Sequence, residues 1–232
     1  MDKEPSAGAL ARRHCRQEYD GLLWLQPAAS ASGISELTIW NRDGSHGQLC
    51  LNGLRMAALW TGEPAGEFLM AGRRIPWRKE SAGIRLHLRR EDLPEQLAFQ
   101  RVKLGDRAGL AVPFWNPHCV VPVERLADLD LAELADLANQ RKDVFPKGVN
   151  LEAVAAQGNS ELRVRVWERG VGETRACGSG AVAVALTYWA GGGEGPVSIV
   201  MAGGRLQLSP EPNGGIFLTG PARLSGSIWL ED

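Results

Sequence analysis

Two of the four cysteines stand where a thiol could do acid–base chemistry. Cys177 lies within ERGVGETRACGSGAVAVALTYW (168–189), directly before an alanine- and valine-rich run that predicts a buried helix. Cys50 lies within NRDGSHGQLCLNGLRMAALW (41–60), again just before a helical run. A sulfur at a helix N-terminus faces unpaired N–H groups, which lower the pKa of a thiol and also bind a carboxylate. We therefore expect a carboxylate ligand and a lowered thiol pKa at each site.

Two such sites around one ligand would place a sulfur on each side of the carbon next to its carboxylate. One thiolate could then remove a proton from one face of that carbon, and the other thiol could return a proton on the opposite face. Other interpretations stay open at this point, including a cysteine nucleophile paired with His46 or His118. Cys15 and Cys119 are expected to be small buried hydrophobes.

The elements that would position these thiols are many short strands and three helices, which predict the α+β class. The helices are expected after Gly53, over 127–142 and after Gly178. Both cysteine-containing stretches place glycines shortly before and after the thiol, so we expect an internal duplication. The predicted strands are 21–27, 36–41, 84–90, 119–123, 162–168, 197–202, 205–210 and 216–220.

Composition excludes several classes of protein. The chain has 232 residues and a formal net charge of -1, with basic and acidic residues mixed along it, so we expect no nucleic-acid binding. No secretion signal is visible, and the longest apolar run is too short to span a bilayer, so a cytoplasmic location without membrane binding is expected. No C-x-x-C pair is present, so no metal site is predicted.

Several motifs of the sequence together resemble those of the diaminopimelate epimerase family. The similar motifs are ERGVGETRACGSGA, FPKGVN (145–150), NPHCVV (116–121), NRDGS, CLNGLR and FLTGPA (217–222). The resemblance runs from about Arg13 to the C-terminus. It implies two similar α+β domains, each a curled, mostly antiparallel sheet around a central helix, with the active site in the cleft between them. The implied domains are 1–105, joined by a last strand at about 223–232, and 106–222.

The implied activity is cofactor-independent interconversion of LL- and meso-diaminopimelate in lysine and peptidoglycan precursor synthesis. The implied partner is this small-molecule substrate, and a homodimer is a further expectation. Cys50 and Cys177 match the acid–base pair, whereas His118 would orient Glu168 or line the cleft. The substrate-binding positions implied by the resemblance are Asn41, Leu51, Asn52, Asn116, Asn150, Glu168, Arg169, Gly178 and Ser179.

Within this set, the roles are also implied by the resemblance. The N–H groups after each thiol, including those of Gly178 and Ser179, would hold the α-carboxylate. Glu168 would meet the substrate near its reacting ammonium, and Arg169 would meet the distal carboxylate. The three asparagines 41, 116 and 150 would hold the non-reacting end.

Two departures from the family pattern lead to further expectations. Leu51 stands where the family has glycine, so its side chain should crowd the substrate carboxylate, and Leu51→Gly should raise kcat/KM. The family's opening K-M-H-G-L-G-N-D-F-like strand has no counterpart, so weak activity is expected. Two alternative functions to diaminopimelate epimerase activity are considered. One is a related racemase acting on another amino acid, and the other is a catalytically impaired binding protein.

Overall fold

The chain folds into two compact units. The structure, a computed structural model, describes residues 6–15, 19–26, 34–94, 98–158 and 160–226. One unit comprises Met1–Leu86 and Pro221–Asp232, and the other comprises His87–Gly220. Short strands outnumber helices in both units, which confirms the predicted α+β class. The expected last strand falls largely on 227–232, outside the described residues, and 223–226 form no strand.

Among the residues that the structure describes, the first unit contains a five-stranded sheet and two helices. Its strand order is β1-β2-β3-β4-β5, with β2 and β3 parallel and the other pairs antiparallel. Helix α1 packs against β1 and β2, whereas α2 packs against β1, β3 and β4. The elements are α1 (Ala7–His14), β1 (Gly21–Gln26), β2 (Ser35–Asn41), α2 (Leu51–Trp60), β3 (Ala65–Met70), β4 (Arg73–Glu80) and β5 (Gly83–Leu88), the last two residues of β5 lying in the second unit.

The described part of the second unit forms a larger mixed sheet with two helices. The strand order is β14-β13-β12-β10-β9-β8-β7-β6, with β11 paired to β10. The β8–β9 and β10–β12 pairs are parallel, and the remaining pairs are antiparallel. The elements are a 3₁₀ turn (Arg90–Asp92), β6 (Gln100–Leu104), β7 (Arg107–Phe114), β8 (Asn116–Pro122), α3 (Leu131–Gln140), β9 (Asn150–Ala156), β10 (Glu161–Glu168), β11 (Gly172–Thr174), α4 (Gly178–Ala190), β12 (Val197–Met201), β13 (Gly204–Pro210) and β14 (Ile216–Gly220).

Helices α3 and α4 cover opposite faces of this sheet. Asp130 caps α3 through its side chain, which accepts from the Glu133 N–H at 3.0 Å, and the apolar side of α3 packs on Cys119 and Leu151. Side chains alternate between the two faces along a strand. The neighbours of Cys119 and Leu151 in β8 and β9 therefore point to the other face, where α4 packs. Because α4 is apolar on nearly all sides, it is buried as predicted.

Candidate active site

Cys177 is the N-cap residue of α4. Its backbone is extended, with φ -127° and ψ 116°, and its carbonyl accepts the first helical hydrogen bond from the Ala181 N–H at 3.0 Å. The sulfur accepts from the Gly180 N–H at 3.4 Å and lies 3.4 Å from the Ser179 hydroxyl. The thiol thus takes the place that a serine or aspartate oxygen takes in an ordinary N-cap, where it faces the unpaired N–H groups of the first turn.

Cys50 repeats this geometry at the start of α2. Its φ of -122° and ψ of 102° are nearly those of Cys177, and its sulfur accepts from the Gly53 N–H at 3.2 Å. The Leu54 N–H donates to the Cys50 carbonyl at 2.9 Å. Each unit therefore contains a helix capped by a cysteine through the same sulfur–amide contact, which supports the predicted internal duplication.

The pKa of Cys177 departs from the sequence expectation. Burial raises it well above the ordinary value, and the carboxylates of Glu168 and Glu152 raise it further. Hydrogen bonds from Ser179 and from the Gly180 N–H act in the opposite direction but are weaker. The prediction of a lowered thiol pKa is therefore wrong for Cys177, because desolvation of the thiolate outweighs the helix N-terminus.

One face of the second unit's sheet carries most of the remaining candidates. The strand register pairs His118 with Asn150 and Val166 with Glu152, so these residues share a face. Gly180 of α4 lies against Glu152, which identifies this as the α4 face. The predicted site residues on it are Asn116, His118, Asn150 and Glu168.

The His118 side chain pairs with a carboxylate that the sequence did not point to. Its Nδ1 lies 2.7 Å from Oε1 of Glu152, and both side chains are 0% exposed. The sequence expectation had His118 either orienting Glu168 or lining the cleft. In the structure the Thr174 hydroxyl contacts that carboxylate instead, donating to Oε1 at 2.5 Å. His118 therefore lines the α4 face, and Thr174 orients Glu168.

Asn150 and Arg169 lie together where β9 begins and β10 ends. The Asn150 side-chain oxygen accepts from the Arg169 N–H at 2.8 Å, which leaves the amide NH2 group as the end that can donate to a ligand. The Arg169 guanidinium donates to the Lys147 carbonyl at 3.0 Å and is exposed. Gly148 has a φ of 83°, and a Cβ on it would lie 3.0 Å from Cδ of Arg169. The backbone here thus keeps Arg169 at the surface, beside buried Asn150.

In the first unit the predicted residues lie at two places. Asn41 ends β2 in a turn, where its amide donates to the Ser45 hydroxyl at 3.0 Å. Asn52 follows Cys50 in α2 and accepts from Arg55 at 3.0 Å. Leu51 is only 2% exposed, so its side chain lies inside the protein. This burial does not support the expectation that Leu51 crowds a substrate carboxylate.

Sequence reasoning missed three residues around the thiols. Glu152 stands as a single charge in the apolar run NLEAVAA, a signal that could have identified it. Thr174 belongs to the motif ERGVGETRACGSGA but was not proposed as a site residue. Arg55 is buried and donates to the carbonyls of Leu51 and Pro221 at 3.2 and 3.5 Å, so it ties the first turn of α2 to the segment that follows Gly220.

Comparison with known proteins agrees with this architecture. Residues 111–225 match the family model described as diaminopimelate epimerase. The chain is 33% identical over 242 residues to the diaminopimelate epimerase of Moorella thermoacetica, with 92% of this chain and 86% of that protein covered. The chain belongs to the diaminopimelate epimerase family. Another member, from Bacillus subtilis, is 32% identical over 235 residues, covering 88% of this chain and 80% of that protein.

Solved structures show the same fold outside this epimerase family. A putative phenazine biosynthesis PhzC/PhzF protein from Clostridium difficile gives a TM-score of 0.69 at 12% identity, covering 99% of this chain and 90% of that one. A probable proline racemase from Agrobacterium radiobacter gives a TM-score of 0.66 at 14% identity, covering 95% and 79%. Among the described residues, no helix is both long enough and apolar enough to cross a membrane.

Proposed function

We propose that this member of the diaminopimelate epimerase family interconverts LL- and meso-diaminopimelate, with Cys50 and Cys177 as the acid–base pair on one α-carbon. The observation that carries the proposal is the repeated cysteine cap. Both sulfurs contact the N–H of the third residue after them, at 3.2 and 3.4 Å. The relatives at 32–34% identity bear the name of this activity, which supports the choice of substrate.

The chemistry balances without any other reactant. The thiolate of one cysteine takes the α-proton, and the C–H electron pair stays on the α-carbon. The thiol of the other cysteine gives its proton to the opposite face and becomes the thiolate. The enzyme ends with the two protonation states exchanged, and the reverse reaction restores them.

The neighbouring groups suit the two ends of this substrate. The first-turn N–H groups of α4 and α2, including those of Gly178 and Ser179, would hold the α-carboxylate. Glu168, fixed by Thr174, would face the reacting ammonium. Arg169 would bind the distal carboxylate through two parallel hydrogen bonds. The asparagines at 41, 116 and 150 would complete the contacts with the non-reacting end.

The test is incubation with LL-diaminopimelate in deuterated water, followed by proton NMR. We expect loss of the α-proton signal and formation of meso product with deuterium at the inverted centre. Cys50→Ala and Cys177→Ala should each abolish inversion, whereas Cys15→Ala, a buried cysteine in the C-cap of α1, should leave it intact.

Each other outcome assigns the chain differently. Full inversion by Cys50→Ala would refute the two-base mechanism. Exchange with a shorter amino acid but not with diaminopimelate would support the related racemase. Saturable binding of diaminopimelate without exchange would support the binding protein. The cytoplasmic location and the homodimer remain predictions.

A further inference from the structure

Glu152 is a buried carboxyl group that the proposed mechanism does not use. Its side chain is 0% exposed in the middle of β9. His118 Nδ1 contacts its Oε1 at 2.7 Å, whereas Glu152 Oε2 and His118 Nε2 have no hydrogen-bond partner among the described residues. A buried carboxylate is costly unless nearby groups compensate it. Its retention beside a catalytic helix therefore needs a reason.

The position of Glu152 supplies one. A Cβ built on Gly180 would lie 2.6 Å from Glu152 Oε1 and 3.2 Å from its Cγ, so the carboxylate lies against the first turn of α4. The N–H of the same Gly180 donates to the Cys177 sulfur. The carboxylate and the sulfur therefore both lie at the positive end of one helix, on either side of one glycine.

We propose that Glu152, held by His118, is a positioning residue that keeps Cys177 in the protonated thiol state in the substrate-free protein. Two negative charges at one helix end repel each other, so the fixed carboxylate disfavours the thiolate. The substrate's ammonium would offset this repulsion when it binds near Glu168. This inference rests on the proposed function, because it makes Cys177 the resting acid of the pair.

Other side chains also interact with Cys177 and Glu152. Glu168 on β10 also acts on the Cys177 sulfur, while Ser179 on α4 offers it a hydroxyl. The carboxylate of Glu152 also raises the pKa of Cys119 on β8. Substitution of Glu168 would change substrate binding as well as charge. Glu152 is therefore the residue at which the effect of charge is best isolated.

The experiment is an NMR titration of the substrate-free protein labelled with ¹³Cβ-cysteine. The Cys177 signal is identified by its absence in Cys177→Ser, and its shift with pH reports thiolate formation. We expect Glu152→Gln, which keeps the shape and removes the charge, to move the titration of Cys177 down by about one pH unit. Glu161→Gln, at a surface glutamate of β10 paired with Arg205, should leave the titration where it is.

Kinetics provides a second readout. In Glu152→Gln the alkaline limb of the pH profile of kcat/KM should move to lower pH by a similar amount, and Glu152→Asp should restore it most of the way. A Cys177 titration that is unmoved, or moved upward, in Glu152→Gln overturns the inference. That result would leave the proposed function intact, because the titration requires no substrate and no turnover.

If Glu152→Gln does not fold, the inference can be tested on the wild-type protein. With ¹³Cδ-glutamate labelling, the Glu152 signal must be that of an ionised carboxylate at pH 8, and it must shift when Cys177 loses its proton. A Glu152 carboxyl that is protonated at pH 8 would overturn the inference directly.

Discussion

Thr174 shows how one hydroxyl can set the chemistry of a neighbouring carboxylate. Its donation to Glu168 at 2.5 Å is a charge-assisted bond, and such bonds contribute about 1.5–3 kcal/mol. Thr174→Val keeps the shape and removes the donor, so we expect kcat/KM for diaminopimelate to fall about tenfold or more in the NMR assay. Thr174→Ser should stay close to wild type. A loss in Thr174→Ser together with full activity in Thr174→Val would assign the effect to the methyl group instead.

The burial of Leu51 leads to a different prediction from the one drawn from its sequence position. Truncating a buried leucine leaves a cavity, and a glycine in a helix adds a further cost. We therefore expect Leu51→Gly to lower the free energy of unfolding by about 4 kcal/mol, measured by urea denaturation, without raising kcat/KM. A rise in kcat/KM at unchanged stability would show that the side chain does obstruct the substrate.

At the scale of elements, the β8 strand carries a thiol whose protonation is linked to folding. Burial, and then the charge of Glu152, raise the pKa of Cys119 to about 12. The contribution of this neutral thiol to stability is complete below the unfolded-state pKa of about 8.5 and is lost as pH rises toward 12. Between pH 7.5 and 10.5, wild type should lose about 2–3 kcal/mol more unfolding free energy than Cys119→Ala. Parallel urea titrations at the two pH values would measure this, and equal losses would contradict it.

The elements differ in how far the sequence predicts them. Strands with clear alternation, such as β1 and β10, were predicted to within one residue at each end. Strands β3 and β4 were missed because charges and a proline interrupt their pattern, and β9 was missed because both of its faces are buried, so it does not alternate. Helix α1 was missed because it is short and mostly small or basic.

The candidate site was likewise predicted only where its signal is local in the sequence. The helix positions of both thiols were predicted because glycines and an apolar run mark a helix N-terminus locally. The pair formed by His118 and Glu152 was not, because these residues lie 34 positions apart on different strands and meet only through the sheet register. The pKa of Cys177 was predicted in the wrong direction because its largest cause, burial, depends on the packing of the folded protein. The carboxylates of Glu168 and Glu152, which raise it further, come from β10 and β9.

At the scale of the whole molecule, the boundary between the two units predicts which fragment of the chain should fold on its own. The unit His87–Gly220 is continuous in sequence and retains β6, whose Val102 and Leu104 belong to the core under α3. A fragment 106–222, cut at the boundary expected from sequence, loses both residues. We expect 87–220 alone to unfold cooperatively on heating and to give dispersed amide NMR signals. The fragment 106–222 should melt at a lower temperature or not fold, and equal melting of the two would contradict the boundary.

The close approach of Gly180 to Glu152 has a consequence for how this family can diverge. Because a methyl group on Gly180 would place its carbon 2.6 Å from a carboxylate oxygen, alanine at this position requires the buried Glu152 side chain to shift. A lineage should therefore acquire alanine at 180 at lower cost once position 152 carries a smaller side chain. The order of these two substitutions is biased, and glutamate at position 152 favours glycine in the cysteine cap for as long as it persists.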